Sequence, residues 1–380
     1  MTPWSWVTVT SAALLGWTWF VYPAAIWVIA RLLRSRALRS EPTRMPSVTA
    51  IVASRDGVDA IAERVADFLC ADYPPDLLSV VVGVDRRTPE LLHAIEVACG
   101  TNKVRVVAGD ASGGKGAGLN AAVREASGDV LVFSDVQQRF AADTIRRLVT
   151  GLATDDRLGA IGGALQLPGD APGTVGRSPI EWYWRIERQL RWAEGRIHSA
   201  VGVSGSVYAM WRRDWIPMPD QIILDDVWLP MRLVLAGKRV GYDLDAKAWD
   251  ARSTSAAEER VRKVRTLTGN FQLFAWLPAV LLPVVNPIWV QFVSHKVFRL
   301  LTPWLAFAFA VGLGGVAMER VPSSTLPVVL ASLGVILLIV AVPIRTRTIA
   351  RRVIGWGWSL QTAVIHATVN GVRGRWDVWR

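Results

Sequence analysis

The chain has 380 residues, 51% of them hydrophobic, and a formal net charge of +11, a combination typical of a protein with membrane segments rather than of a purely soluble one. Its two cysteines, Cys70 and Cys99, exclude a disulfide framework and a cysteine-rich metal site. The positive charge lies near apolar segments and no nucleic-acid-binding motif accompanies it, so we expect an anionic lipid bilayer as a partner and no nucleic acid.

The first predicted element is an apolar segment at residues 4–33, which is long enough to cross a bilayer as a helix. Arginines follow it directly, and the positive-inside rule places this end in the cytoplasm. A cleaved signal peptide is the alternative, but the first residues carry no basic side chain and the apolar segment is too long. We therefore predict that residues 1–40 form an N-terminal transmembrane helix with a basic flank.

Strands and helices alternate in the next part of the chain, after a short linker. The predicted elements are strand 48–54, helix 59–69, strand 78–84, strand 104–108, helix 119–126 and strand 130–133. Alternation at this spacing predicts an α/β domain with a parallel sheet that is covered by helices on both faces. We expect this cytoplasmic domain to cover residues 47–266.

The second half of the domain has a less regular pattern. The predicted elements are helix 143–152, strand 160–167, an amphipathic helix at 181–194, a strand-like run at 201–210, helix 227–236 and strand 239–242. Tryptophans and arginines share the helix at 181–194. This helix could lie near the membrane surface, line an acceptor groove or pack in the core.

Two apolar regions end the chain. Residues 267–298 contain three prolines, which a spanning helix tolerates poorly, so we predict helices that lie in the membrane interface. In the region 299–380, residues 300–318 and 325–343 have the length of membrane spans. Residues 353–372 form either a fourth span or an interfacial helix, and we favour the interfacial helix because it keeps the basic tail inside. The sequence thus predicts a multi-pass protein of the inner or plasma membrane with its α/β domain in the cytoplasm.

A single carboxylate stands just past the end of the predicted strand 130–133. This residue, Asp135, lies at the edge where open α/β sheets bind ligands. A carboxylate there suits a divalent cation that carries a phosphorylated substrate. The alternative is that Asp135 caps the helix at 143–152 or tightens a turn.

Two adjacent carboxylates, Asp225 and Asp226, precede the helix at 227–236. Helix capping and the favourable helix dipole are worth only about 1 kcal/mol, and they need only one of the two. The other, ionised beside a helix N-terminus, could accept a proton from an attacking hydroxyl group.

The glycine-rich run at 109–116 resembles a phosphate-binding loop except at its last position. Gly116 stands there in place of the serine or threonine that would hold magnesium. Positions 116–121 also match a dinucleotide fingerprint, although they stand well beyond the preceding strand. We predict a flexible loop that presents Lys115 to a phosphate, followed by Asn120 on a helix.

A charged run at 258–265 precedes the C-terminal apolar regions. A solvated helix face with ion pairs four residues apart explains most of it. Arg265, at its end, could also close over a diphosphate.

Taken in order, these features resemble those of the membrane-anchored family-2 glycosyltransferases over about residues 47–299. The resemblance implies a GT-A fold, which is a Rossmann-like nucleotide-diphosphosugar domain, with N- and C-terminal transmembrane helices. It also implies inverting transfer of a sugar from a nucleotide-diphosphate donor, for which we expect UDP, to a lipid-linked or glycan acceptor. The matching residues are Ser54-Arg55-Asp56, Asp85, Gly113-Gly114-Lys115-Gly116 with Asn120, Ser134-Asp135-x-Gln137, Gly202-x-Ser204-Gly205-Ser206-x-Tyr208-Ala209 and Asp225-Asp226.

The resemblance implies roles for individual residues. Asp226 would be the general base, with Asp225 beside it, and Asp135 and Gln137 would bind Mn²⁺ or Mg²⁺. The residues expected to bind the nucleotide sugar are Ser54, Arg55, Asp56, Asp85, Lys115, Asn120 and Arg265. The residues expected on the acceptor side are Gly205, Ser206 and Trp228.

The chain departs from the family pattern at three places. Gln137 stands in place of a second metal-binding carboxylate, and Gly57 in place of the acid that usually closes the first motif. The motif of processive polymer synthases appears only as Arg262-x-x-Arg265-Thr266, which favours addition of a single sugar. These departures leave open a transferase-like scaffold without catalysis, and the glycine fingerprint leaves open a membrane-bound NAD-dependent enzyme.

Overall fold

An eight-stranded mixed sheet lies at the centre of the structure. The structure is a computed structural model, and it describes residues 1–33, 42, 44–85, 88–110, 114–153, 155–167, 179–250, 256–320 and 349–377. The strands are β1 (Val48–Ser54), β2 (Leu78–Val84), β3 (Val104–Ala108), β4 (Val130–Ser134), β5 (Gln138–Phe140), β6 (Leu158–Gln166), β7 (Tyr208–Trp211) and β8 (Arg239–Asp250). They lie side by side in the order β3-β2-β1-β4-β7-β6-β8-β5.

One half of the sheet is parallel, as predicted. β1 lies between β2 and β4 and pairs parallel with both, with Val48 opposite Leu78 and Val130. β3 pairs parallel with the outer side of β2. β1 and β4 are buried along nearly their whole length, which explains their near-continuous runs of apolar residues. The direction in which consecutive strands are added reverses between β1 and β4, so a crevice forms at their carboxyl ends.

The other half of the sheet is mixed, which corrects the prediction of a wholly parallel sheet. β7 runs antiparallel to β4 and β6, and β5 runs antiparallel to β8. The prediction missed β5, ended β8 at residue 242 and extended β7 back to residue 201. Apolar patterning marks a strand as buried but does not encode its direction, and β5 is too short to show a pattern.

Helices cover both faces of the sheet and extend beyond it. They are α1 (Pro3–Leu32), α2 (Val58–Leu69), α3 (Pro89–Cys99), α4 (Gly114–Glu125), α5 (Thr144–Ala153), α6 (Pro179–Ile197), α7 (Asp225–Leu235), α8 (Ala256–Trp276), α9 (Trp289–Glu319) and α10 (Ile349–Val372). α4 begins at Gly114 rather than at residue 119. Lys115 therefore lies in the first turn of a helix and not in the flexible loop that we predicted.

The two faces of the sheet bury separate hydrophobic clusters. Ile51 belongs to one cluster and Val52 to the other, as the alternation of side chains along a strand requires. The cluster that contains Ile51 also includes Leu273 of α8 and Phe292 of α9, which are 1% and 0% exposed. The end of α8 and the start of α9 are therefore part of the core of the domain.

Two helices, α1 and α9, have the length and apolar composition of membrane spans, and within the described ranges no other helix meets both criteria. The two helices pack against each other. A Cβ added at Gly312 would lie 2.5 Å from Thr8, and one added at Gly315 would lie 2.2 Å from Trp4, so these glycines allow the close contact. The predicted helix at 4–33 matches α1, and the predicted span at 300–318 lies within α9.

The rest of the C-terminal region differs in part from the prediction. Residues 353–372 lie in α10, which packs along α8, whereas the predicted span at 325–343 lies outside the described residues. Between α8 and α9 the chain forms a 3₁₀ turn, Pro278–Leu281, and not the predicted helices along the interface. The apolar side chains that follow this turn are nevertheless exposed, and Val284 is 96% exposed.

Candidate functional site

The carboxyl ends of three neighbouring strands meet at one edge of the sheet. Ser54 ends β1, and its hydroxyl donates a 2.9 Å hydrogen bond to Asp56. Arg55, between them, forms an ion pair with Asp85, which follows β2. Asp135 follows β4 directly. This edge is where the strand order reverses, which is the usual ligand-binding position in an open α/β sheet.

A cavity opens at this edge between the strand ends and the start of α4. Asp85 accepts a 2.8 Å hydrogen bond from the backbone N–H of Gly114, which fixes the start of α4. A Cβ at Gly83 would lie 2.3 Å from the Gly118 carbonyl oxygen, so only glycine allows α4 to approach β2 this closely. The lining residues are Ala53, Ser54, Arg55, Gly83, Asp85, Gly114, Lys115 and Gly118.

The glycines of the dinucleotide-like fingerprint serve packing within the protein. Gly116 and Gly118 are buried. A Cβ at Gly116 would lie 3.1 Å from the Ile222 side chain, and one at Gly118 would lie 3.4 Å from Ala53 Cβ. Both glycines face protein atoms where the fingerprint requires a pyrophosphate, which removes the basis for the NAD-dependent alternative.

Lys115 lies between carboxylates from two different elements. Its Nζ is 3.0 Å from Asp135 Oδ1 and 3.1 Å from Asp225 Oδ2. Burial alone would lower the pKa of Lys115, but the charges of Asp135, Asp225 and Asp226 raise that pKa above its usual value. Lys115 therefore stays charged and joins the end of β4 to the start of α7.

Asp225 and Asp226 begin α7 but have different surroundings. Asp225 is 6% exposed. Burial raises the pKa of Asp225, and the charge of Lys115 opposes that rise. Asp226 is partly exposed, and a Cβ on Gly205 would lie 3.4 Å from both Asp226 Cβ and Lys115 Nζ. Asp226 is thus the member of the pair that a ligand can reach.

The loop before β7 contacts both Asp135 and Asp226. The Ser206 hydroxyl donates a 3.1 Å hydrogen bond to Asp135 Oδ2, and the backbone N–H of Val203 donates a 2.9 Å hydrogen bond to the Asp226 carbonyl oxygen. Gly205 and Ser206, which we predicted on the acceptor side, therefore lie beside the carboxylates.

Trp228 does not lie beside the carboxylates of the cleft, unlike Gly205 and Ser206. It is 5% exposed and belongs to the core cluster that contains Ile51. Residues two positions apart on a helix point to different faces, so Trp228 faces the core while Asp226 faces the cleft. The expectation that Trp228 lies on the acceptor side is wrong.

Two predicted residues use their amide groups within the protein. Asn120 donates a 2.8 Å hydrogen bond to the Met218 carbonyl oxygen and accepts a 2.9 Å bond from the Met218 N–H. It therefore holds the segment before α7 against α4, and we propose no role for it in binding the donor. Gln137 donates a 3.2 Å hydrogen bond through Nε2 to Asp56 Oδ1, which connects the loops after β4 and β1.

Arg265 lies on α8, one of the C-terminal helices, and it interacts electrostatically with the carboxylates of the site. Burial lowers the pKa of Arg265, and the negative charges of Asp135, Asp225 and Asp226 oppose this effect. The guanidinium therefore lies within electrostatic range of all three carboxylates.

A divalent cation at this site would have few protein ligands. In the described part of the chain, no three His, Cys, Asp or Glu side chains are grouped so that they could hold a metal ion. Asp135 offers a carboxylate at the end of β4, and Gln137 offers an amide two residues later. Mg²⁺ is often bound through one or two carboxylates together with substrate phosphates. The residues present therefore fit a cation that arrives with a diphosphate.

A buried charged network, which the sequence analysis missed, lies where α1, α6 and α9 meet. His295 contacts Glu194 through Nδ1 at 2.8 Å and Glu187 through Nε2 at 2.7 Å. Tyr22 donates a 2.6 Å hydrogen bond to Glu194, and Arg299 donates a 2.7 Å bond to Glu187. Ionisable residues within an apolar segment are costly unless they are paired. The histidine and arginine of the apolar α9 could therefore have indicated such a network.

Comparisons with known proteins point to one family. Residues 46–269 match the family model described as glycosyltransferase-like family 2. The β-monoglucosyldiacylglycerol synthase of Synechocystis sp. is 23% identical over 284 residues, which are 68% of this chain and 58% of that protein. The chain thus matches little more than half the length of this curated relative.

A solved structure shares the fold over almost the whole chain. It is a mannosyltransferase from Pyrobaculum calidifontis in complex with GDP-Man and Mn²⁺. The TM-score is 0.71 at 22% sequence identity, and the match covers 97% of this chain and 99% of that chain. The likeness extends over the terminal helices as well as the sheet.

Proposed function

Because the chain belongs to glycosyltransferase-like family 2, we propose that it transfers a sugar from a nucleotide-diphosphate sugar to a hydroxyl group of a membrane-associated acceptor. Its α/β domain has the GT-A-like fold that the sequence predicted. The observation that carries the proposal is the position of Lys115 between Asp135 and Asp225, with Asp226 beside it. These acidic groups come from a strand end and a helix start, and they share one cleft.

The donor is proposed to occupy the cavity beside Asp85. The loop with Ser54, Arg55 and Asp56 would contact the nucleoside together with Asp85, and Lys115 would contact the diphosphate. The Arg55 side chain is 51% exposed, so it can rearrange around a bound nucleotide. We expect UDP as the nucleotide.

Transfer is proposed to follow an inverting single displacement. The acceptor hydroxyl oxygen forms a bond to the anomeric carbon as the bond from that carbon to the diphosphate oxygen breaks. The electron pair leaves with the nucleoside diphosphate, and the hydroxyl proton passes to Asp226. Asp225 is a poor candidate for the base because its carboxylate is buried and close to Lys115.

Positive charge near the departing diphosphate lowers the barrier of such a transfer. Lys115 and Arg265 lie within electrostatic range of Asp135 and are proposed to contact the leaving group. Mn²⁺ or Mg²⁺, held by Asp135 and Gln137, would supply further stabilisation of the same charge.

The acceptor is proposed to be lipid-linked or a glycan at the cytoplasmic face of the cell membrane. α1 and α9 would cross the bilayer, and the exposed apolar residues between α8 and α9, including Val284, would lie at its surface. The curated relative from Synechocystis is named as the synthase of a glucosylated diacylglycerol, which supports a lipid acceptor.

Thermal unfolding of the purified full chain in detergent tests the proposal, with a panel of UDP- and GDP-sugars in the presence of Mn²⁺. A ligand that binds only the folded protein raises the apparent midpoint, so we expect a rise with at least one nucleotide sugar. Release of nucleotide during incubation with membranes then reports transfer. A panel without any rise would contradict the proposal, and binding without nucleotide release would favour a scaffold.

A further inference from the structure

A short loop between β4 and β5 contains both residues that are proposed to bind the divalent cation. Asp135 directly follows β4, and Gln137 directly precedes β5. Groups that orient a metal ligand affect metal binding strongly, although they do not touch the metal themselves. The contacts that fix the two ends of this loop therefore bear on the geometry of the proposed cation site.

One end of the loop is joined to Arg64, an arginine of α2 that is 0% exposed. Arg64 Nη2 donates a 2.9 Å hydrogen bond to the Ser134 hydroxyl oxygen. The same hydroxyl group donates a 2.9 Å hydrogen bond to the Asp135 carbonyl oxygen. The last residue of β4 and the first residue of the loop are thus connected to a buried cation.

The other end of the loop is joined to the same arginine through Asp67. Arg64 and Asp67 lie three positions apart on one face of α2, where Arg64 Nη1 donates a hydrogen bond to the Asp67 carboxylate. Asp67 Oδ2 also accepts a 3.3 Å hydrogen bond from the backbone N–H of Phe140, in β5. The Arg64–Asp67 ion pair therefore connects the strand before the loop with the strand after it.

Two aromatic rings hold the guanidinium group of Arg64 in place. Its Cζ lies 3.8 Å from the centroid of the Phe68 ring and 4.2 Å from the centroid of the Phe140 ring. Contacts at these distances are attractive for a cation. Since Phe68 belongs to α2 and Phe140 to β5, the packing also holds these two elements together.

A fully buried arginine is costly at this position. Burial and the positive charge of Arg139 lower the pKa of Arg64 to about 9, and the negative charge of Asp135 opposes this effect. Among the residues that the structure describes, none accepts a hydrogen bond from Arg64 Nε. An apolar side chain between the two rings would avoid the desolvation of a charge. The two hydrogen-bonded contacts of Arg64 are therefore what distinguishes it from an apolar residue.

We propose that Arg64 is a positioning residue for the cation site, because it fixes the loop that presents Asp135 and Gln137. Its buried side chain does not touch the cation, and it acts through Ser134 and Asp67. A guanidinium can donate to both of these residues at once, whereas an ammonium group is a point charge on a flexible stem. The assignment rests on the proposed function and adds a residue to its machinery.

Calorimetric titrations of the purified full chain in detergent test this assignment. One series measures the affinity for Mn²⁺ in the presence of saturating UDP, and the other measures the affinity for UDP without Mn²⁺. Arg64→Met should lower the Mn²⁺ affinity about 10–100-fold, the range typical for loss of a residue that orients a metal ligand. The affinity for UDP alone should stay unchanged, because the proposed nucleoside contacts come from other loops. Arg64→Lys keeps the charge without the paired donors and should show the same loss.

Two further variants separate positioning from a general loss of structure. Ser134→Ala removes only the hydroxyl group between Arg64 and the Asp135 carbonyl oxygen, so it should also weaken Mn²⁺ binding, and it serves if Arg64→Met does not fold. In an Asp135→Ala background, Arg64→Met should lower the Mn²⁺ affinity no further, since the two residues act on one site. The matched control is Arg146→Met, which breaks the 2.8 Å ion pair between Arg146 and Asp72 and should change neither affinity.

Several results would overturn the assignment. They are wild-type Mn²⁺ affinity in Ser134→Ala or in either Arg64 variant, an equal loss of Mn²⁺ and metal-free UDP binding, and additive losses in the Asp135→Ala background. Sugar transfer by a wild-type protein that binds no Mn²⁺ would overturn it as well and leave the proposed function intact. Failure of the proposed function appears separately, in the nucleotide-sugar panel with wild-type protein.

Discussion

Lys115 Nζ lies 3.0 Å from Asp135 Oδ1, so one ion pair ties the first turn of α4 to the end of β4. The same ammonium group lies 3.1 Å from Asp225. It therefore holds together two carboxylates that would otherwise repel each other. Removal of this one positive charge should affect both the stability of the fold and the binding of an anionic donor.

Lys115→Met should lower the free energy of unfolding by about 3 kcal/mol, because it leaves the buried Asp225 without its counter-ion. The loss should grow as the pH rises. Burial raises the pKa of Asp225 and Lys115 opposes the rise, so the substitution raises this pKa further. A carboxyl group whose pKa is raised in the folded state destabilises the fold above the unfolded value of about 4. Denaturant titrations of wild type and variant between about pH 4 and about pH 7 measure the difference.

Asp225→Asn in the Lys115→Met background is the control for this prediction. It removes the uncompensated charge, so it should restore much of the stability and flatten the pH dependence. A stability difference that stays constant with pH in the single variant would show that another contact of Lys115 is responsible.

Asp226→Asn should lower the rate of sugar transfer about 10²–10⁴-fold, the range typical for loss of a general base. Donor binding should remain, because Lys115 and Asp225 keep their contact. Nucleotide release measures transfer, and calorimetry measures binding of the nucleotide. Asp245→Asn is the matched control, since Asp245 is an exposed carboxylate on β8. Wild-type turnover in Asp226→Asn would refute the assignment of the base.

Gln137→Glu should strengthen Mn²⁺-dependent binding of the donor, because a second carboxylate beside Asp135 suits a hard divalent cation better than an amide. Asp135→Ala should abolish the dependence on Mn²⁺. Calorimetric titration of the nucleotide with and without Mn²⁺ measures both effects. Gln137→Met, which also breaks the hydrogen bond to Asp56, controls for the loss of the amide. If metal dependence is the same in all of these variants, Asp135 does not bind the metal.

Gly83→Ala should destabilise the protein by about 1–3 kcal/mol, because overpacking forces backbone shifts. Its new Cβ would lie 2.3 Å from the Gly118 carbonyl oxygen and push α4 away from β2. Donor binding should fall as well, since Lys115 moves with α4. Gly118→Ala is the matched control, because its Cβ would meet Ala53 at an ordinary 3.4 Å. Equal stability of the two variants in denaturant titrations would contradict the close contact.

Val284 should lie in the bilayer surface when the full chain is reconstituted in vesicles. Val284→Cys, in a background with Cys70 and Cys99 replaced by serine, allows attachment of an environment-sensitive fluorophore. We expect a blue-shifted emission that lipid-borne quenchers reduce. The control position is Val97, on α3, which is 64% exposed in the domain and should report water. Identical emission at both positions would contradict the membrane orientation.

The sequence was sufficient where local patterns decide the structure. β1, β2 and β3 were predicted to their observed ends, because each is a short apolar run bounded by polar or turn-forming residues. Asp135 and Asp226 were found as candidates in the same way, since one follows a strand and the other begins a helix. The order of the strands in the sheet determines which other residues lie beside Asp135 and Asp226 in the cleft.

Features that depend on distant contacts were not predictable. The direction of β7 depends on which strands it joins, and Trp228 faces the core because of the way α7 packs. The contact between Glu187 and His295 joins residues that are 108 positions apart. No local pattern in a single sequence records such a pair.

The contacts of Tyr22, Glu194 and His295 fasten the first apolar helix, the sheet domain and α9 into one body. In the proposed membrane orientation, this connection would hold the cleft at a fixed distance from the bilayer. The proposed enzyme would then reach only hydroxyl groups at that distance from the bilayer. The expected product is therefore a lipid that has gained a sugar close to its headgroup, and not a long chain extended at its far end.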